Sequence, residues 1–377
     1  MPFGQITRTL PIIFLLAAAY GASFATIAIR IESMEASGRL IGIAAAMPAL
    51  GWLIGTALLP YLLRHFRLNH FMAFTLCMAL ISWIGSAAIT APAQWVPMRL
   101  FFGGGMGLFF RAYEYWLTEA STPDKRGINF GSYAAIFVFG ITAGALMQPA
   151  IGIETLGIVA VSLGIGLCAF WSAFIFAPQT AAPQNSFSVQ RIRTSFNAAP
   201  LAMIAAFTYA FYEEVPASFL PIYALKLGYA ETVAATILAV SVLGALAGAI
   251  PMGWLCDKWG RRAVLLLAAI AGTIGSAIIP ALAQNQTLLF SAIFIWAFLA
   301  EGIFVVALAL IADRFRGEDL LHANMAFGIF YALGAIVGPI LCGEAMQRIG
   351  TNGLFWAVGA IFVALFVTVT AKRQPAP

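Results

Sequence analysis

Five charged residues interrupt otherwise apolar stretches of this 377-residue chain: Arg99, Glu114, Glu213, Glu214 and Glu301. A charge in such surroundings is costly unless it meets water or a partner, so each is a candidate for chemistry. Glu213 and Glu214 are adjacent, and on a helix their side chains diverge by about 100°. At most one of them points squarely into a given cavity. Carboxylates at similar depth in an apolar medium disfavour each other's charge and share a proton readily. The same groups would equally suit a cationic ligand. Arg99 stays charged at any accessible pH and carries no proton; it is read as binding an anion, biasing a carboxylate, or joining two helices through backbone carbonyls. Glu114 follows Arg111 at i,i+3, the spacing of an ion pair on one helix face, and gating or structure is expected there. Other chemistries lack their residues. His65, His70 and His322 have no partner at metal-ligand spacing, and Cys77, Cys168, Cys256 and Cys342 are far apart with no C-x-x-C. No nucleophile–base set and no G-x-x-x-x-G-K-[ST] occurs. Neither a cofactor, a metal nor an enzymatic activity is expected.

The elements holding these residues follow from composition. The chain is 62% hydrophobic and 9% charged, with mean hydropathy +0.93, whereas soluble domains are about 45–50% apolar and about 25% charged. A helix needs about 20 apolar residues to cross a bilayer. Apolar runs between polar breaks predict twelve spans, at 10–30, 40–63, 70–90, 93–116, 128–150, 155–177, 200–224, 230–255, 263–283, 288–311, 323–345 and 351–371. The break at 178–199, rich in Pro, Gln, Asn and Ser, reads as a linker between bundles at 1–177 and 200–377. The expected class is an all-α membrane protein of two pseudo-symmetric six-helix bundles. The run after Arg8 resembles a signal peptide but is kept as span 1, because its removal leaves an odd number of spans. With both termini cytoplasmic, fifteen of the twenty Lys and Arg fall on that side, among them Arg64, Lys125, Arg126, Lys372 and Arg373. The net charge of +5 is divided among short loops, which argues against a nucleic-acid partner. Glu213 lies thirteen residues into span 7 and Glu301 about ten from the end of span 10, so the two are expected at similar depth.

The halves repeat. Gly144 and Gln148-Pro149 in span 5 match Gly334 and Gly338-Pro339 in span 11. Glycines spaced four apart (Gly103/Gly107, Gly140/Gly144, Gly244/Gly248, Gly334/Gly338) are expected at close helix crossings. The densest charge lies in GWLCDKWGRR, Gly253 to Arg262, where Asp257, Lys258, Arg261 and Arg262 fall within six residues. It is read as a tight loop after an apolar run ending at Leu255. Its counterpart after span 2 runs Leu63-Arg64-His65-Phe66-Arg67, with Leu63 in place of Asp257.

That stretch resembles the signature loop of the major facilitator superfamily, G-x-L-x-D-[RK]-x-G-R-[RK], at Gly253, Leu255, Asp257, Lys258, Gly260, Arg261 and Arg262. Arg99 followed by Gly103 resembles the superfamily's helix 4 motif, associated with proton coupling in antiporters. Glu114 to Gly127 resembles a poorly characterised bacterial branch with E-x-W-L at the end of helix 4. The resemblance implies that helices 1, 4, 7 and 10 line a central cavity. It then makes Arg99, Glu213, Glu214 and Glu301 substrate or proton-coupling residues, with Glu301 favoured because Ala300 and Gly302 leave room beside it. Tyr20, Ser23, Thr26, Tyr209 and Tyr212 become cavity hydrogen-bonding groups, and the many Phe residues are assigned to packing or lipid. The signature residues would form a conformational latch, with Asp257 near Gly127. The implied function is a secondary active transporter of the bacterial inner membrane, moving a small organic solute by alternating access. Proton coupling and export are expected, with a cationic or zwitterionic solute slightly favoured. Uptake of a small metabolite, or a non-transporting sensor or assembly factor of the same fold, are the alternatives. The implied partners are substrate, protons and the lipid bilayer, and the chain is expected to act as a monomer.

Overall fold

A computed structural model describes residues 7–121, 126–152, 155–176 and 189–371. Among them are twelve helices of eighteen residues or more: α1 (Leu10–Ser33), α2 (Gly38–His65), α3 (Leu68–Gly85), α4 (Trp95–Ala120), α5 (Arg126–Ile151), α6 (Thr155–Ile175), α7 (Pro200–Lys226), α8 (Glu231–Trp259), α9 (Arg261–Leu282), α10 (Gln286–Arg314), α11 (Gly317–Ile349) and α12 (Gly353–Ala371). Ten are long and apolar enough to cross a membrane by length and composition. The two that miss are α4 and α7, whose apolar runs are diluted by Arg99, Arg111, Glu114 and Glu119 in one, and by Glu213, Glu214 and several tyrosines in the other. At 1.5 Å per residue, their 26 and 27 residues reach about 40 Å, enough to cross a hydrocarbon core of about 30 Å. Large apolar side chains also point outward, as in Ile250, Ile81 and Phe174, which are 84%, 71% and 70% exposed. Such a surface belongs against lipid.

The chain divides into two compact units, one of residues 1–36 and 47–187, the other of 37–46 and 188–377. Each repeats the same neighbours. In the first, α1 packs on α5 and α6, and α3 on α4 and α6. In the second, α7 packs on α11 and α12, and α9 on α10 and α12. Glycine makes the tightest crossings possible. A Cβ on Gly144 would lie 2.0 Å from the Ala18 carbonyl oxygen in α1, and one on Gly334 would lie 2.1 Å from that of Phe207 in α7. Without hydrophobic drive between helices in lipid, such backbone approach supplies the van der Waals contact that holds a bundle. Pro149 and Pro339 lie inside α5 and α11 at equivalent places. In the second unit, residues 37–46 lie against α11, where Arg39 pairs with Glu344 at 2.8 Å and Gly38 N–H donates to Gln347 at 2.9 Å.

Three sequence expectations change. The run expected to end at Leu255 continues as helix to Trp259, and the turn is Gly260 alone, at φ +85°. Only a residue without Cβ enters that region freely, so one glycine replaces a loop. The polar break, read as a linker, holds a short helix, Val189–Ala198, beyond the undescribed 177–188. Phe196 stacks on Phe330 of α11 at 5.2 Å, and the Arg314 guanidinium donates to the Ala198 carbonyl at 2.5 Å. Tertiary contacts thus make helix where composition suggested coil. Third, Gly302 leaves no room beside Glu301: a Cβ there would meet Val264 at 3.2 Å and Met252 at 3.3 Å, so its smallness serves packing of α10 on α8 and α9. Lys125, Lys372, Arg373 and the side chains of Arg64 and Arg126 lie outside the described residues.

Candidate functional site

The second unit brings two carboxylates together with four aromatic rings. Glu213 lies thirteen residues after the start of α7 at Pro200, and Glu301 thirteen before the end of α10 at Arg314. Both are therefore about 20 Å from those ends, which the Arg314 bond to Ala198 holds side by side. Glu301 is 9% exposed and accepts a hydrogen bond from the Tyr209 hydroxyl at 2.8 Å. Glu213 is half-buried and accepts one from the Tyr331 hydroxyl of α11. The two carboxylates are close enough to interact electrostatically, and Glu214, also half-buried, acts on Glu213 as well. Each acid therefore has a tyrosine that satisfies one oxygen, as a group removed from water requires.

Three helices each contribute two members at one-turn spacing. They are Tyr209 and Glu213 on α7, Glu301 and Phe304 on α10, and Phe327 and Tyr331 on α11. Side chains three or four apart share a helix face. The rings close a circuit: Tyr209 to Phe304 at 4.9 Å, Phe304 to Phe327 at 6.1 Å, Phe327 to Tyr331 at 6.2 Å, and Tyr331 back to Tyr209 at 6.3 Å. Phe304 and Phe327, assigned by sequence to packing or lipid, pack on the two tyrosines that hold the acids. The signal was present as the i,i+3 and i,i+4 pairs, but nothing in the sequence says which faces of α7, α10 and α11 meet. Tyr212 turns elsewhere, onto Trp296 at 4.8 Å and Phe362 at 5.6 Å.

The first unit holds the remaining candidates. Arg111 pairs with Glu114 at 2.8 Å, as its spacing predicts, and lies over the Trp52 ring at 4.9 Å. The Tyr133 hydroxyl donates to Glu114 at 3.4 Å. Arg99 is buried, 6% exposed, one turn beyond Trp95, whose ring lies 5.7 Å from the Arg30 guanidinium. On α1, Tyr20 packs on Phe24 and on Phe102 of α4, at 4.7 and 5.9 Å. The Ser23 hydroxyl donates to the Tyr20 carbonyl at 2.6 Å. Thr26 donates to the Ala22 carbonyl at 3.2 Å and accepts from Gln148 at 3.3 Å. Ser23 and Thr26 thus spend their protons on their own helix.

The signature residues form a network within the second unit. Arg261 donates to Asp257 at 2.8 Å, Asp313 at 3.1 Å and the Cys256 carbonyl at 3.1 Å. Lys258 lies over the Trp254 ring at 4.6 Å, and Arg262 donates to the Thr370 carbonyl at 3.2 Å. Gly253 faces Val305, and Gly260 makes the turn. Asp257 was expected to approach Gly127, whose surroundings lie outside the described residues.

Comparison with known proteins agrees with this architecture. Residues 202–377 match the family model of the Major Facilitator Superfamily. The chain is 26% identical over 367 residues to an uncharacterized MFS-type transporter, YfkF, of Bacillus subtilis, covering 94% of this chain and 93% of that one. It is 23% identical to the uncharacterized MFS-type transporter YcaD of Salmonella paratyphi B, with 89% and 88% covered. Among solved structures, a mutant form of the nucleoside transporter NupG superposes with a TM-score of 0.78 at 13% identity, covering 97% of this chain and 99% of that one. With the helical repeat and the apolar outer surface, these likenesses support a membrane transporter of the Major Facilitator Superfamily type, whose family model the second unit matches.

Proposed function

We propose that the chain is a proton-coupled secondary transporter that exports a small organic solute by alternating access. In this reading the bundles at 1–177 and 200–377 rock about a site near the bilayer midplane, joined by the linker at 178–199. The protein works as a monomer in a bacterial inner membrane with both termini cytoplasmic. The observation that carries the reading is Glu301, 9% exposed in the middle of α10 and held by the Tyr209 hydroxyl at 2.8 Å. An intramembrane carboxylate is expensive and is retained where its charge changes during the work. The Tyr209 hydroxyl donates to the ionised carboxylate, while burial away from water opposes its charge. Such balanced acids take up a proton on one side of the membrane and yield it on the other. Arg99 is assigned to solute binding or to biasing these acids, and the Asp257 network to the latch.

The test uses everted vesicles acidified by respiration, with a fluorescent amine reporting the gradient. A transported solute releases protons and restores fluorescence. Glu301→Gln, which holds the neutral form permanently, should abolish that release in a protein that still folds, as its melting temperature reports. Glu213→Gln and Glu214→Gln should weaken release less. If all three variants restore fluorescence as the wild type does, the acids do not couple protons.

A further inference from the structure

We propose that the ring circuit of Tyr209, Phe304, Phe327 and Tyr331, with Glu213 and Glu301 at its tyrosine corners, is a recognition subsite for an organic ammonium group. The proposal rests on the reading of Glu213 and Glu301 as the transport site and adds the chemical class of the solute. Two independent features converge. The first is charge: two acids from α7 and α10 meet in the second unit, and the cations of its signature network, Arg261 and Arg262, are engaged with Asp257, Asp313 and the Thr370 carbonyl. An anionic group would meet repulsion from both acids.

The second feature is the rings. Their four sides run from 4.9 to 6.3 Å, and the centre of a four-sided circuit of that size is about 4 Å from each ring centre when square and no more than about 6 Å when skewed, within the reach of roughly 6 Å over which an aromatic face attracts a cation. An N-alkylated ammonium ion cannot satisfy itself by donating several hydrogen bonds. Ring faces replace its water, and carboxylates neutralise its charge without needing N–H donors. The tyrosines join both devices, since each supplies a ring to the circuit and a hydroxyl to an acid. A neutral apolar solute would gain from the rings but nothing from the acids. Protonation of the acids removes the negative half of the subsite, so the same carboxylates that take a proton release the ammonium ion. Solute and proton thereby exclude each other, as antiport requires.

Choline and its uncharged carbon isostere, 3,3-dimethylbutanol, separate charge from shape. Binding of each, with tetramethylammonium and benzyltrimethylammonium as further probes, is measured by calorimetry on the purified full chain in detergent at fixed pH. No gradient is present, so the result is independent of proton coupling. At least one ammonium probe should bind below about 10 mM, and choline should bind at least about tenfold more tightly than 3,3-dimethylbutanol if its charge is read. Phe327→Leu, which keeps apolar bulk but loses the ring, should weaken ammonium binding about fivefold, and Phe327→Tyr should restore it. Melting temperature and monodispersity of the Leu variant are measured alongside; Phe304→Leu replaces it if it fails to fold. Absence of binding by every ammonium probe, equal binding of the isostere, or unchanged affinity in the Leu variant would each overturn the subsite. Ammonium binding with normal discrimination, in a protein whose Glu301→Gln variant still releases protons, leaves the subsite standing and removes only the coupling role of Glu301.

Discussion

Gly334→Ala tests whether the α7–α11 crossing sets the geometry of the site. The added Cβ would sit 2.1 Å from the Phe207 carbonyl oxygen, and real Cβ contacts essentially never fall below 3.0 Å. The obstacle is backbone, so no rotamer change relieves it. The two helices must separate locally by about 0.9 Å, the difference between those distances. Phe207 lies two residues before Tyr209, and Gly334 three after Tyr331, so the displacement acts on the two tyrosines that hold the acids. Overpacking of this kind costs about 1–3 kcal/mol in stability, and misplacing reacting groups by about 1 Å can lower a rate roughly a hundredfold. Because both tyrosines lie within one turn of the crossing, a loss of at least about tenfold in counterflow is expected, together with weaker choline binding. The control is Gly131→Ala on the same kind of apolar helix, where a Cβ meets nothing within 4 Å; it should leave transport and melting unchanged or raise stability by up to about 1 kcal/mol. Counterflow and choline binding within twofold of wild type in Gly334→Ala, with the Gly131→Ala control behaving as stated, would refute the claim that this crossing positions the site.

Two further outcomes follow from geometry elsewhere. Gly260→Ala should cost about 1–3 kcal/mol, because its φ of +85° with ψ of 156° is closed to other residues although no atom lies within 4 Å of the new Cβ; thermal unfolding in detergent that matches the wild type would show that the turn relaxes freely. Arg99→Lys keeps the charge but loses the planar fork of the guanidinium, so counterflow should fall by at least about tenfold if that buried group orients solute or an acid. Wild-type counterflow in Arg99→Lys and Arg99→Ala alike would assign the residue to packing.

Much of the fold is legible in the sequence because the bilayer imposes a simple rule. Every backbone polar group must be satisfied within its own span, so apolar runs of sufficient length become helices whatever surrounds them. The repeated Gly-Pro positions in α5 and α11 show the duplication for the same reason: a crossing that needs glycine tolerates little else. Local spacing also sufficed for Arg111 with Glu114, since partners one turn apart on one helix meet without help from the rest of the fold. What sequence could not settle was which helix faces meet. Glu301 finds Tyr209 across 92 residues and Glu213 finds Tyr331 across 118. Those pairings depend on the rotation of α7, α10 and α11 about their own axes. Helices apolar on nearly every side carry little periodic signal for that rotation; close packing between glycines and facing carbonyls selects it instead. Phe304 and Phe327 therefore read as ordinary packing or lipid-facing residues in one dimension, and only three dimensions bring them against the tyrosines that hold the two carboxylates.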